Sequence, residues 1–88
     1  MKKITVAIVE DNDGENALLQ EALLRYGEHK KVEFEISRYK NAEDFLEKDS
    51  YDLNILFMDI ELPGGMDGMR AAKKFRKLNE ETILIFVT

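Results

Sequence analysis

Ile4-Thr5-Val6-Ala7-Ile8-Val9-Glu10-Asp11-Asn12-Asp13-Gly14 opens with a β-branched, almost wholly apolar run that stops abruptly on acids and a glycine. Apolar residues without alternation over six positions read as a strand buried on both faces, the type found in parallel sheets with helices on either side. Two later runs repeat the pattern. Leu53-Asn54-Ile55-Leu56-Phe57-Met58 ends on Asp59, and Thr82-Ile83-Leu84-Ile85-Phe86-Val87 reads as another buried strand ending on Thr88. The segments between them have other periods. From Glu15 to Tyr26, Leu19, Leu23 and Tyr26, flanked by Leu18, Ala22 and Leu24, recur at helical spacing, and Gly27 supplies a stop. Val32, Phe34 and Ile36 alternate with Glu33, Glu35 and Ser37, which predicts a strand with one wet face near a sheet edge. Asn41, three residues before Asp44, predicts an N-cap opening a short helix through Ala42, Phe45 and Leu46. A third helix is predicted from about Gly68 to Leu78, with Met69, Ala72, Phe75 and Leu78 on its apolar side. The order β-α-β-α-β-α-β with short connections predicts an α/β fold with a mostly parallel sheet covered on both faces.

The chain has 88 residues, enough for one small domain and too few for two. Hydrophobic residues make up 44% and charged residues 35%, a balance that suits a soluble globular chain and not a disordered one. Thirteen basic and eighteen acidic side chains leave a net charge of −5, which argues against a general nucleic-acid or anionic-membrane surface. The basic set Arg70, Lys73, Lys74, Arg76 and Lys77 reads as a solvated helix face whose cations complement the C-terminal end of the helix dipole. His29 reads as an exposed loop residue. Without cysteine, no disulfide framework, thiolate metal site or thiol nucleophile exists. The longest apolar run is too short to span a bilayer, and Met1-Lys2-Lys3 leads into a strand, so a cytoplasmic location is expected.

In a parallel sheet the C-terminal strand ends share one edge, and ligands bind where the strand order reverses. Glu10 and Asp11 reach that edge from the first strand, Asp59 from the third and Thr88 from the fourth. If the first and third strands are neighbours, Asp11 and Asp59 converge from 48 positions apart. Clustered carboxylates raise one another's pKa unless a cation sits between them. An all-oxygen site without Cys or a convergent His suits a hard ion, and Mg²⁺ takes one or two carboxylates, keeps waters and binds phosphate. That points to phosphoryl chemistry, with Asp59 as nucleophile, Asp11 and Glu10 holding the ion, and the Thr88 hydroxyl bonding a phosphoryl oxygen. The plainer reading is that acids at strand ends cap loops and that Asp, Gly and Pro favour turns.

Glu10-Asp11, then Met58-Asp59-Ile60 with Pro63 and Gly68, then Ile85-Phe86-Val87-Thr88, together resemble the receiver domain of bacterial two-component response regulators. The wording Asp59-Ile60-Glu61-Leu62-Pro63 is most similar to the branch that carries LytTR-type DNA-binding domains. The resemblance covers the whole chain and implies a flavodoxin-like (CheY-like) doubly wound sheet. It implies Asp59 as phosphoacceptor, Glu10, Asp11 and Asp59 with the Glu61 backbone carbonyl as Mg²⁺ ligands, and Thr88 as switch hydroxyl. It also implies a sensor histidine kinase as phosphodonor and self-catalysed phosphorylation without turnover. Receivers continue with a helix, a strand ending in a lysine that pairs with the phosphoryl group, and a further helix. None of these follows Thr88, so residues 1–88 are expected to be the N-terminal part of a receiver, and no residue can be assigned the lysine's role. DNA would be met only through a further C-terminal domain. An uncovered fourth strand predicts self-association or strand exchange on that side.

Two rivals stand beside this reading. One is a phosphorylation-independent interaction module or a fragment without function. The other is a haloacid-dehalogenase-like phosphatase, because Asp59-Ile60-Glu61 places a second acid two residues after the first; that family normally has Asp at the second position. A dinucleotide site is disfavoured, since acids and not a glycine-rich turn follow the first strand.

Overall fold

The computed structural model describes residues 1–47, 52–62 and 65–87. Seven elements alternate as predicted: β1 (Lys2–Val9), α1 (Asp13–Lys30), β2 (Val32–Tyr39), α2 (Ala42–Glu47), β3 (Ile55–Asp59), α3 (Gly68–Leu78) and β4 (Ile83–Val87). The strands form one parallel sheet in the order β2-β1-β3-β4. The chain therefore reverses its direction of travel across the sheet between β1 and β3. This is the flavodoxin-like arrangement, with the crevice expected at that point.

Register assigns the faces. Ile4 pairs with Phe34 and Val6 with Ile36, and the Phe34 ring lies 6.3 Å from that of Tyr26 on α1, so α1 covers this row. The opposite row, with Ala7 and Val9 beside Leu56 and Met58, packs against Phe45 of α2 and Phe75 of α3, whose rings are 5.4 Å apart. Residues 6–9 are wholly buried, which explains their lack of alternation.

The helix ends follow side-chain chemistry. Asn12 caps α1 by accepting from the Glu15 amide, Asn41 caps α2 by accepting from Asp44, and Asp67 caps α3 by accepting from Arg70. Gly27 does not stop α1, as its sequence position had suggested. The helix runs on to Lys30 and ends on Lys31, a left-handed residue at φ 57° whose amide bonds the Gly27 carbonyl. Gly27 instead permits close packing on β2: a Cβ there would lie 2.5 Å from the Val32 carbonyl oxygen. His29 accordingly sits in the last turn of α1, exposed, and not in a loop.

Four other expectations shift. On α1 the predicted stripe is only half right, because Leu19 and Leu23 are partly buried while Leu18, Leu24 and Tyr26 are exposed. On α3 the buried side is Gly68, Ala71, Ala72 and Phe75, with Met69 and Leu78 exposed. Arg76 is not purely solvated: its Nη1 donates to the carbonyls of Asn79 and Thr82, tying the end of α3 to the start of β4. Finally, β4 is not a buried strand, since Ile83 is 59% exposed and Ile85 and Phe86 are 39% exposed. Among the described residues it pairs with β3 alone, and the α1-facing row loses its cover as it crosses the sheet.

Candidate functional site

β1 and β3 are hydrogen-bonded neighbours, with Val9 opposite Met58, so Glu10 and Asp59 leave the sheet side by side. Carboxylate oxygens of Glu10, Asp11 and Asp59 all lie within 4.8 Å of one another. Asp59 is 8% exposed, Glu10 is partly buried and Asp11 faces solvent.

The loops are fixed by local bonds. The Glu10 amide donates to the Tyr39 carbonyl at 3.0 Å, and the Glu10 carboxylate accepts from the Asn12 amide at 3.2 Å. Asp59 Oδ1 accepts from the Glu61 amide at 3.1 Å, an Asx-type turn that sharpens the exit from β3. The Ile60 amide donates to Val87 and the Ile60 carbonyl accepts from Gly68, so the N-terminus of α3 is pressed onto the end of β3. Gly68 is required there, because a Cβ would overlap the Asp59 carbonyl oxygen and crowd the Ile60 Cα.

Three anionic groups this close crowd one another. The Glu10 carboxyl is pushed up from 4.5 to about 7, first by burial, against a lowering bond from Asn12, and then by the Asp59 and Asp11 carboxylates. A hard divalent cation is the group that relieves such crowding, and an oxygen-only donor set of this size fits Mg²⁺.

Of the predicted site residues, Glu10, Asp11 and Asp59 are brought together. Glu61 is exposed and lies two residues after Asp59, and its contact with Asp59 is through its amide. Thr88, Pro63 and Gly64 lie outside the described residues. Three participants were not anticipated. Asn12 holds both Glu10 and α1, while Arg38 and Asp13 brace the same loop from β2 and α1. Arg38 had a legible signal: Val32, Phe34 and Ile36 are every second residue of β2, and the next member of that row is Arg38.

A response regulator receiver domain model matches residues 6–88, nearly the whole chain. The chain belongs to the response regulator receiver domain family. Among solved structures, a histidine kinase ThkA complex with the response regulator TrrA matches at 29% identity and TM-score 0.74, covering 100% of this chain and 69% of that one. The N-terminal domain of a response regulator/sensory box/GGDEF protein from Carboxydothermus hydrogenoformans matches at 28% identity and TM-score 0.74, covering 93% and 62%. The signal receiver domain of a modulated diguanylate cyclase from Desulfovibrio desulfuricans G20 matches at 26% identity and TM-score 0.76, covering 97% and 64%. No curated protein matches the chain. This receiver thus spans roughly half to two thirds of the solved chains it is similar to, at 53% for the first and 69% at most for those above. None of its described helices is long and apolar enough to cross a membrane.

Proposed function

We propose that this receiver accepts a phosphoryl group on Asp59 with Mg²⁺ held by Glu10, Asp11, Asp59 and the Glu61 backbone carbonyl. The observation that carries the reading is the convergence of three carboxylates on a nearly buried aspartate at the switch point of the sheet. An Asp59 oxygen attacks phosphorus in line, the new O–P bond forms as the donor's N–P bond breaks, and the departing imidazole takes a proton from solvent. The bound ion supplies neutralisation of the charge spread over the phosphoryl oxygens. Burial on β3 and the Glu61 amide fix the direction of the nucleophile, so little reorganisation is needed at the moment of transfer. The phosphodonor is a phosphohistidine on a sensor histidine kinase, a reading supported by family membership and by a neighbour solved with a histidine kinase. The added charge, near −2, then shifts Thr88 and its surroundings between two conformations. The output is control of transcription through a DNA-binding domain of the LytTR type, acting in the cytoplasm.

Incubation with Mg²⁺ and a small-molecule phosphodonor, followed by intact mass measurement, is expected to add one phosphoryl group. Asp59→Asn is expected to remove the addition, and chelation of Mg²⁺ to suppress it. A folded chain that neither gains mass nor responds to beryllofluoride with Mg²⁺ would sink the reading.

We also propose self-association through β4. Its outer edge has no strand partner among the described residues, and Ile83, Ile85 and Phe86 are exposed beside it. Unpaired strand edges next to apolar surface are templates for a second copy. Light scattering across concentration tests this, and a compact monomer at every concentration is the result that refutes it.

A further inference from the structure

Arg38 is the charged end of the apolar β2 row that faces α1, and its side chain is only 18% exposed. Its Nε donates to the Glu10 carbonyl at 2.9 Å, and its Nη2 lies 2.9 Å from Asp13 Oδ1 at the start of α1. The latter is an ion contact and not a well-aligned hydrogen bond, so Nη2 is held there by charge. Lys40 adds a second cation 3.5 Å from the same Asp13 oxygen. Together with the bond from the Glu10 amide to Tyr39, both backbone polar groups of Glu10 are taken by consecutive residues at the end of β2. The β1–β2 ladder ends at Val9 opposite Tyr39, so Glu10 is the first residue that the sheet no longer places by itself.

We propose that Arg38 is a positioning residue for the metal-binding loop: its guanidinium clamps the Glu10 backbone to the first turn of α1 and thereby sets the affinity of the acidic cluster for Mg²⁺. The inference rests on the reading of Glu10, Asp11 and Asp59 as the Mg²⁺ site. A planar fork is suited to this task because it serves the carbonyl and the carboxylate from two directions at once, which a lysine ammonium does not. The sign of the effect separates clamping from mere charge. A guanidinium near an anionic cluster weakens its attraction for another cation, so a purely electrostatic Arg38 would make Mg²⁺ binding tighter when removed. A clamp makes it weaker.

Arg38→Met and Arg38→Lys, each in the otherwise unchanged chain, test this by titration with Mg²⁺ alone, read by calorimetry. Both variants are expected to bind about tenfold more weakly, the lower end of what loss of an outer-shell partner costs a metal site. In the metal-free protein, hydrogen exchange is expected to speed up at the Glu10 amide while β3 keeps its protection. Unchanged or tighter Mg²⁺ binding in either folded variant overturns the proposal, as does a uniform loss of protection through the sheet. Should Arg38→Met fail to fold, Arg38→Lys decides; failure of both to fold overturns positioning in favour of a purely structural role. Failure of the unsubstituted chain to bind Mg²⁺ overturns the site reading itself, an outcome visible before any variant is made.

Discussion

β3 and β4 are neighbouring parallel strands of five residues with nearly the same apolar content, Ile-Leu-Phe-Met-Asp against Ile-Leu-Ile-Phe-Val. Their surroundings differ sharply. Leu56 and Met58 are wholly buried, whereas in β4 Ile83, Ile85 and Phe86 are all exposed. The reason is place in the sheet: β3 has a strand on each side and helices over its Leu56–Met58 face, while β4 has one strand neighbour among the described residues. An apolar run therefore specifies a strand, but its burial depends on what lies alongside. The same contrast separates the strands by what they present, because the central strands end in the acidic cluster and β4 offers exposed apolar side chains.

The largest effect expected from this contrast is on stability. Leu56→Ala should cost about 2–5 kcal/mol, since the surrounding core cannot collapse fully into the space left. Ile83→Ala should stay within about 0.5 kcal/mol, as for other exposed positions. Urea unfolding of both variants checks the pair, and similar losses would erase the distinction between the strands.

Gly68→Ala tests how tightly the end of β3 is held. The new methyl meets the Asp59 carbonyl and the Ile60 Cα, both backbone, so the α3 N-terminus must move away from Asp59. A loss of about 1–3 kcal/mol is expected from overpacking, together with weaker Mg²⁺ binding. Wild-type stability and affinity would show that the close approach is dispensable.

A smaller effect concerns pH and is confined to the central strand ends. A carboxyl whose folded pKa lies above its unfolded value binds its proton more tightly in the folded state, so its contribution is present below the unfolded value and is lost as pH rises. For Glu10 that window runs from 4.5 to about 7. Metal-free protein should lose stability across it, Glu10→Gln should flatten the slope, and Mg²⁺ should flatten it as well. Thermal melts in a pH series measure this, and equal slopes for wild type and Glu10→Gln would refute it.

The smallest change in fold stability accompanies the edge. Ile83→Lys and Ile85→Lys are expected to leave folding nearly unchanged and to abolish concentration-dependent association, because charged edges discourage strand pairing. Sedimentation velocity checks this, and persistence of the associated species would move the interface elsewhere.

Much of this was legible along the chain. Parity identified the two faces of β2, uninterrupted apolar runs identified β1 and β3, and the acids that end those runs identified the carboxylates that the sheet brings together. Asn54 shows one limit. It interrupts the apolar run before β3, and the fold uses it to bond Thr5 of β1 through both its side chain and its amide. No local pattern announces such a bridge, because its partner is 49 residues away.

The order of elements, the α/β class, the cap at Asn41, the helix Gly68–Leu78 and the carboxylates at the strand ends were determined by the sequence itself, since each depends on residues a few positions apart. Three matters were decided only in three dimensions. Pairing of β1 with β3 brought Glu10 and Asp11 to Asp59. Close packing on β2 turned Gly27 from a stop into a contact. The end of β2 supplied Arg38 to a loop 28 residues away. All three depend on which surfaces meet, and a linear pattern carries residue types and spacing but not the neighbour across the sheet.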